Sequence, residues 1–137
     1  MASVKMSSHF SATPNKVWDL IGGFNALADW HPAVEKSELE EGGTIRRLHL
    51  MGGGEIVEKL QQSDDDDHVY SYSILEGPLP VKGYVAEIRV RPEGDGCEVE
   101  WSSSFEPAGA SEPDAVQAIH DVYQAGFDNL KKIFGMR

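Results

Sequence analysis

Arg46 and Glu58 are the first residues that suggest chemistry, because the sequence predicts that both face the core. They share the parity of the apolar side chains in two neighbouring segments, 44–50 and 54–60, which alternate as antiparallel strands do. A hairpin that turns at Gly52 places the two charged side chains directly opposite each other. An unpaired buried ion is costly, so each residue is expected to pair with the other. Such a pair either stabilises the fold or takes part in catalysis, with Glu58 moving a proton and Arg46 polarising a carbonyl, and both interpretations stay open.

Aromatic residues dominate the other inward-facing positions of the predicted strands. Period-two alternation places Tyr70, Tyr72 and Tyr84 on the inward face. A buried tyrosine hydroxyl needs a hydrogen-bond partner, so three of them on one face favour a ligand pocket over a dry core. Apolar walls with a few polar groups are typical of small-molecule sites. The predicted ligand-binding residues are Trp30, Arg46, Leu48, Glu58, Tyr70, Tyr72, Leu79, Tyr84, Ile88, Trp101, Ser103, Tyr123, Gly126, Phe127 and Leu130.

His31 is the third candidate for proton transfer. Pro32 disfavours helical backbone at the residue before it, so His31 is predicted to lie in an extended loop at the mouth of the pocket. The alternative is that it packs beside Trp30 without a chemical role. The remaining histidines fall on outward or helix-surface positions without ligand spacing, which predicts no metal site: His9, His49, His68 and His120. The three glycines at 52–54 precede neither a lysine nor a helix, so they indicate a turn, and no cofactor is predicted.

A long helix at 111–135 is predicted to form one wall of the pocket. Ser111 suits its N-cap and Gly135 its C-cap, and apolar residues recur every three or four positions between them. Because the preceding segments are mostly short strands, this helix is expected to cover one sheet. Gly126 lies on its apolar stripe among bulky neighbours and is expected to leave room for a ligand.

The rest of the chain predicts an α+β order of elements. A strand at 4–10 precedes two short helices, one beginning after Thr13 and one at 25–29. Six further antiparallel strands follow in hairpin order, and the charged first of them suits a sheet edge. These strands are predicted at 34–39, 44–50, 54–60, 68–75, 81–90 and 97–105. We expect residues 1–137 to form a single domain.

Composition limits the kinds of partner and compartment. A net charge of −11 argues against nucleic acid and anionic membrane surfaces. The single cysteine, Cys97, suits a reducing compartment, and no apolar run resembles a signal peptide or a membrane span. We therefore expect a cytoplasmic protein, a monomer or homodimer, with no membrane insertion.

Several parts of the chain form a pattern that extends over nearly its whole length: Phe10-Ser-Ala-Thr-Pro-Asn-Lys-Val-Trp18, Phe24, Trp30-His-Pro32, Gly77-Pro-Leu-Pro80 and the final helix. This pattern resembles the START-related (SRPBCC) superfamily, and its bacterial polyketide cyclase/dehydrase-like branch in particular. The resemblance implies a helix-grip fold, in which a seven-stranded antiparallel sheet wraps around the C-terminal helix. It also implies that the loops at 51–54 and 77–80 lie at the mouth of the pocket.

Three functions remain open on this resemblance. The first is binding of a small hydrophobic or aromatic ligand, lipid-like or polyketide-like, between sheet and helix. The second is a cyclase or dehydratase activity in the same cavity, with Glu58, Arg46 or His31 as catalytic residues. The third is a protein-interaction module of the chaperone-activator type.

Overall fold

The computed structural model describes residues 1–135. Within them the chain forms seven β-strands and three α-helices in the predicted order. The strands are β1 (Ala2–Phe10), β2 (Val34–Glu40), β3 (Ile45–Leu50), β4 (Glu55–Asp64), β5 (Val69–Glu76), β6 (Val81–Glu93) and β7 (Gly96–Pro107). The helices are α1 (Pro14–Ile21), α2 (Leu27–Trp30) and α3 (Glu112–Phe134), and a 3-10 turn, Glu41–Gly43, joins β2 to β3.

All seven strands belong to one antiparallel sheet with the order β1-β7-β6-β5-β4-β3-β2. The strands from β2 to β7 form successive hairpins, and β1 then pairs with β7. The charged strand β2 lies at one edge, as the sequence predicts. Helix α3 packs against β1, β7 and α2. The predicted α+β helix-grip fold is confirmed.

Helix α3 begins and ends where its capping residues predict. The Ser111 side chain accepts a hydrogen bond from the backbone N–H of Asp114, at 3.3 Å. Acidic residues occupy its first turn and lysines its last, which complements the helix dipole. Gly135 closes the helix with φ of 80°, a conformation that glycine adopts without strain. Both cap predictions are therefore confirmed.

Alternation along the strands puts the predicted side chains into the core. In β6 and β7 the buried positions include Tyr84, Ala86, Ile88, Val90, Cys97, Val99, Trp101, Ser103 and Phe105. Both strands are longer than predicted, because the pairing continues to Glu93 and Gly96 next to the turn. The core therefore lies between the inner face of the sheet and α3.

Helix α2 begins two residues later than predicted. The backbone N–H of Ala26 donates to the carbonyl of Gly23, at 3.0 Å, so a separate turn precedes the helix. The short helix still buries Leu27 and Trp30, as expected. Among the helices of residues 1–135, none combines the length and the apolar character needed to cross a membrane.

Candidate ligand-binding site

A cavity of about 210 Å³ lies between the inner face of the sheet and α3. Most of its wall is aliphatic or aromatic, with a carboxylate, an imidazole and two phenol groups as its polar side chains. The residues that line it are Leu27, His31, Ala33, Val34, Leu48, Leu50, Met51, Gly53, Ile56, Glu58, Tyr72, Ile74, Leu79, Tyr84, Trp101, Ile119 and Val122. Sites for drug-sized ligands usually measure roughly 300–1,000 Å³, so this cavity suits a smaller molecule.

The two loops predicted to lie at the mouth both contribute to the wall. Met51 and Gly53 come from the loop between β3 and β4, and Leu79 comes from the loop between β5 and β6. Met51 is 59% exposed, so this end of the cavity borders solvent. Gly53 has φ of 104°, and its neighbours in the turn also have positive φ, which requires glycine in practice.

Arg46 and Glu58 form the buried ion pair that the sequence predicts. They are directly opposite each other in the register of β3 and β4. Arg46 Nε donates to Glu58 Oε1 at 2.8 Å, and Arg46 Nη2 lies 2.6 Å from the same oxygen. Arg46 Nη1 donates to the carbonyl of Phe24 at 2.7 Å, and the guanidinium also stacks on the Phe24 ring, 4.3 Å from its centroid. The guanidinium is thus fixed on several sides.

Burial and ion pairing shift the pKa of each residue of the pair in opposite directions. Burial raises the pKa of Glu58, and the adjacent Arg46 partly offsets that rise. Burial acts to lower the pKa of Arg46, but Tyr70 and Glu58 raise it more, so the guanidinium stays charged. The Arg46 side chain is 0% exposed and that of Glu58 is 6% exposed. Only Glu58 of the pair lines the cavity, so the pair presents its negative end to a ligand.

Three tyrosines form a chain of hydrogen bonds beside the cavity. Trp101 Nε1 donates to the Tyr72 hydroxyl at 3.0 Å, and that hydroxyl lies 3.3 Å from the hydroxyl of Tyr84. The hydroxyl of Tyr84 is also bonded to that of Tyr123. Burial raises the pKa of all three tyrosines, so they are neutral phenols near pH 7. Tyr70 lies apart from this chain and contacts Arg46 Nη1 at 3.4 Å.

His31 lines the cavity, but both of its ring nitrogens are bonded to backbone. Nε2 lies 2.7 Å from the carbonyl of Val122, and Nδ1 accepts a hydrogen bond from Ala33 N–H at 3.1 Å. A carbonyl only accepts and an N–H only donates, so the ring must carry its proton on Nε2. Burial lowers the pKa of His31, in keeping with this neutral form. The ring also packs against Trp30, as the second interpretation of the sequence expects.

The prediction that Gly126 leaves room for a ligand is wrong. A Cβ atom at Gly126 would lie 2.9 Å from Trp30, 3.1 Å from His31 and 3.1 Å from Trp101. The space that the missing side chain leaves is therefore filled by three rings. Gly126 allows α3 to approach these rings closely, and the cavity lies elsewhere along the helix, at Ile119 and Val122.

Six of the predicted ligand-binding residues line the cavity: Leu48, Glu58, Tyr72, Leu79, Tyr84 and Trp101. The other nine lie outside this wall, and eight of them are buried side chains around it: Trp30, Arg46, Tyr70, Ile88, Ser103, Tyr123, Phe127 and Leu130. The ninth, Gly126, is the close-packing position described above. The candidate site is therefore narrower than predicted and lies toward the two loops.

Ten residues of the wall were predicted neither as ligand-binding residues nor as catalytic candidates: Leu27, Ala33, Val34, Leu50, Met51, Gly53, Ile56, Ile74, Ile119 and Val122. For some of these residues, the sequence contains a pattern from which their position in the wall could have been predicted. Ile56 is opposite Leu48 in the hairpin, and Ile119 and Val122 belong to the apolar stripe of α3. The stripe itself does not indicate which of its turns borders a void.

Outside the cavity, His9 has partners that the sequence analysis did not predict. Its Nδ1 lies 2.7 Å from Glu93 Oε1 and its Nε2 lies 3.8 Å from Glu98 Oε2. The register pairs His9 with Glu98, and the β6–β7 turn brings Glu93 alongside. The sequence analysis considered each strand alone and expected His9 to have no neighbours spaced as metal ligands. That expectation is wrong, because the sheet brings Glu93 and Glu98 next to His9. The group is at the surface, and Arg91 also contacts Glu98, at 3.3 Å.

The sequence model of the family described as "polyketide cyclase / dehydrase and lipid transport" matches residues 1–135. The chain belongs to this family. The match includes every element that surrounds the cavity. It confirms the resemblance to the START-related superfamily that the sequence motifs suggest.

Two solved structures and a plant protein are similar to this chain. The XoxI protein of Bacillus cereus is 38% identical, with a TM-score of 0.95 over 98% of this chain and 96% of that one. A START superfamily protein of Mycobacterium smegmatis is 12% identical, with a TM-score of 0.79 over 96% of each chain, and it shows the fold alone. The abscisic acid receptor PYL7 of Arabidopsis thaliana is 25% identical over an alignment 91 residues long, and the alignment covers 62% of this chain. That match spans 43% of the receptor.

Proposed function

We propose that this member of the polyketide cyclase/dehydrase and lipid transport family binds a small, mainly apolar molecule in the cavity between the sheet and α3. The observation that carries the proposal is the cavity itself, about 210 Å³ with an aliphatic and aromatic wall. Protein interiors are packed about as densely as organic crystals, and voids larger than a water molecule are few. A void of this size that opens toward exposed loops is typical of a binding site.

The relatives and the wall support the same function. The family description includes lipid transport, and one relative is named as an abscisic acid receptor. The polar groups at the wall are few and are fixed in place by other residues, so they can orient a ligand without reorganising. Glu58 is held by Arg46, and Tyr72 is held by Trp101. Such preorganised polar groups in an apolar wall give orientation and specificity.

An enzymatic function in the same cavity has less support. Proton transfer needs a group that can exchange its proton with the substrate. Glu58 is the candidate on the wall, because burial raises its pKa, whereas both nitrogens of His31 are already bonded to backbone. Binding requires no such group. We therefore propose binding as the function and treat catalysis as an outcome that the binding experiment can detect.

The test is a thermal-shift screen with fatty alcohols, phenols and bicyclic aromatics, followed by mass spectrometry of the incubated compounds. A ligand at about 100 times its dissociation constant stabilises the folded state by roughly 2.7 kcal/mol, which raises the Tm by several degrees. Val122→Phe places a ring into the cavity and should abolish the shift. Ile133→Phe, on an exposed position of the same helix, should leave it unchanged. Conversion of a compound during incubation would favour the enzymatic alternative.

The proposal is contradicted if no compound of this size shifts the wild-type protein, or if Val122→Phe responds as the wild type does. Native mass spectrometry of freshly purified protein provides an independent measurement, since it detects a molecule that co-purifies. An empty protein that responds to no compound would favour the interaction-module hypothesis instead.

A further inference from the structure

The charges around the cavity are unequal in sign. Among the described residues that line it, none is Lys or Arg, and the one carboxylate is that of Glu58. Arg46 stands behind Glu58, with its guanidinium committed to that carboxylate and to the Phe24 carbonyl. A ligand in the cavity therefore lies closer to the negative charge of Glu58 than to the positive charge of Arg46. The net charge of −11 adds a long-range field of the same sign.

The remaining polar groups of the wall have few hydrogens to offer a ligand. His31 has its Nε2 proton on the Val122 carbonyl and its Nδ1 lone pair on Ala33 N–H. In the tyrosine chain, Tyr72 accepts from Trp101, and each bond between neighbouring hydroxyls uses one hydroxyl hydrogen. The hydroxyls of Tyr72, Tyr84 and Tyr123 have three hydrogens in total. The two bonds between these hydroxyls use two of them, so one hydrogen is left to donate elsewhere. The wall is thus rich in acceptors and poor in donors.

We propose that this cavity selects neutral ligands that carry a hydroxyl or a similar hydrogen-bond donor, and that it rejects carboxylates. This inference rests on the proposed binding function and concerns the class of molecule bound. A donor group can bond to Glu58, whose carboxylate has more acceptor capacity than its contacts with Arg46 use. A carboxylate in the same place meets a like charge in an enclosed apolar space, where screening by salt and water is weak.

Three naphthalene compounds with the same ring and different head groups test the proposal: 1-naphthalenemethanol, 1-naphthoate and 1-methylnaphthalene. Calorimetry or thermal shift at pH 7.5 gives the three affinities. We expect the alcohol to bind most tightly, the hydrocarbon more weakly, and the carboxylate at least about tenfold more weakly than the alcohol. Because the alcohol and the carboxylate have nearly the same size, a difference between them reports on charge and hydrogen bonding.

A variant at the exposed end of the cavity tests the electrostatic cause without disturbing the core. Met51→Lys adds a cation at a position that is 59% exposed, so the fold should tolerate it. We expect it to strengthen naphthoate binding at least about threefold at low salt, and the gain should fall as salt is added. Met51→Gln, of similar length and without charge, is the matched control: it accounts for the loss of the Met51 side chain from the wall, and the difference between the two variants reports the effect of the charge.

The outcomes separate this inference from the proposed function. If naphthoate binds the wild type as tightly as the alcohol does, the charge selection is wrong and the binding function stands. If the hydrocarbon binds as tightly as the alcohol, the role of the donor is wrong. If Met51→Lys and Met51→Gln bind naphthoate equally, charge is not the cause of the rejection. If none of the three compounds binds, the proposed function fails and the inference fails with it.

Discussion

The buried ion pair gives a prediction that can be worked out from its geometry. Replacing Glu58 by Gln keeps the shape of the side chain and leaves one oxygen that can accept a hydrogen bond from Arg46 Nε. In the wild type the distance from this nitrogen to Glu58 Oε1 is 2.8 Å. The charge that balances the guanidinium is lost. Arg46 keeps its bond to the Phe24 carbonyl and its contact with the Phe24 ring, so part of its stabilisation survives. We expect Glu58→Gln to lower the free energy of unfolding by about 2–4 kcal/mol.

Replacing the other member of the pair, Arg46, should make the stability of the protein depend on pH. Arg46→Met leaves a buried carboxylate without its cation, so burial raises the pKa of Glu58 further above its value in the unfolded chain. The folded variant then holds a proton at pH values where the unfolded chain has released it. Its stability should be highest below an unfolded pKa of about 4.3 and should fall as pH rises through the folded pKa. We expect a loss of about 3–5 kcal/mol at pH 8 and a smaller loss at pH 5.

The double variant Arg46→Met/Glu58→Met makes it possible to measure the energy with which the two side chains stabilise each other. It replaces the pair by apolar side chains of similar volume, and such replacements are often neutral or stabilising. We expect its stability to lie within about 1 kcal/mol of the wild type, and the coupling energy between the two positions to exceed about 3 kcal/mol. Urea unfolding of the wild type, Arg46→Met, Glu58→Met and the double variant, followed by far-UV circular dichroism at pH 5 and pH 8, closes the cycle and gives the coupling energy, and Glu58→Gln is measured alongside them.

Two results would refute this reasoning. A loss below about 1 kcal/mol for Glu58→Gln would mean that the pair behaves as an exposed one. Additive losses in the double variant would mean that Arg46 and Glu58 do not stabilise each other, whatever the distance between them.

Two further predictions concern the aromatic core. The linked tyrosines have a pKa raised by burial, so the folded protein keeps protons that the unfolded chain releases above about pH 10, and the urea midpoint should fall steeply there. Tyr72→Phe should reduce that slope by about 1.4 kcal/mol per pH unit, and tyrosinate absorbance that appears before unfolding would contradict the prediction. Gly126→Ala gains about 1 kcal/mol in helix propensity but crowds three rings, so we expect a net loss of about 1–2 kcal/mol in urea unfolding. Ala125→Gly, at a half-buried position of the same helix, gives a comparison value for helix propensity, and a stabilised Gly126→Ala would show that the rings yield without cost.

The parts of the fold that local rules determine could be predicted from the sequence. The period of two along strands and a glycine turn set the register, and this was enough to place Arg46 opposite Glu58. The caps of α3 followed from Ser111 and Gly135 in the same way. Each of these features depends on residues that are close in sequence or joined by one hairpin, so few arrangements compete.

The parts of the site that depend on distant neighbours could not be predicted. His31 owes its tautomer to the carbonyl of Val122, which belongs to α3 at the other end of the chain. Gly126 shows that a missing side chain can be recognised in a sequence, whereas the rings that fill its place cannot. The position of the cavity is the sum of many such contacts. The sequence therefore indicates a groove lined by aromatics, and the structure is needed to locate the empty part of it.

The position of β1 beside β7 has a consequence for the order in which the chain can fold during synthesis. Ala2 pairs with Phe105 and Phe10 with Cys97, and the backbone N–H of Ser11 bonds to the carbonyl of Gly135. Because β1 precedes β7 and α3 in the chain, it leaves the ribosome before them and must wait for both before these hydrogen bonds can form. Until then its edge is unpaired and the apolar residues Val4 and Phe10 are without their final neighbours, a condition that favours aggregation. The nascent chain, rather than the finished protein, is the form in which this fold is most exposed to misassembly.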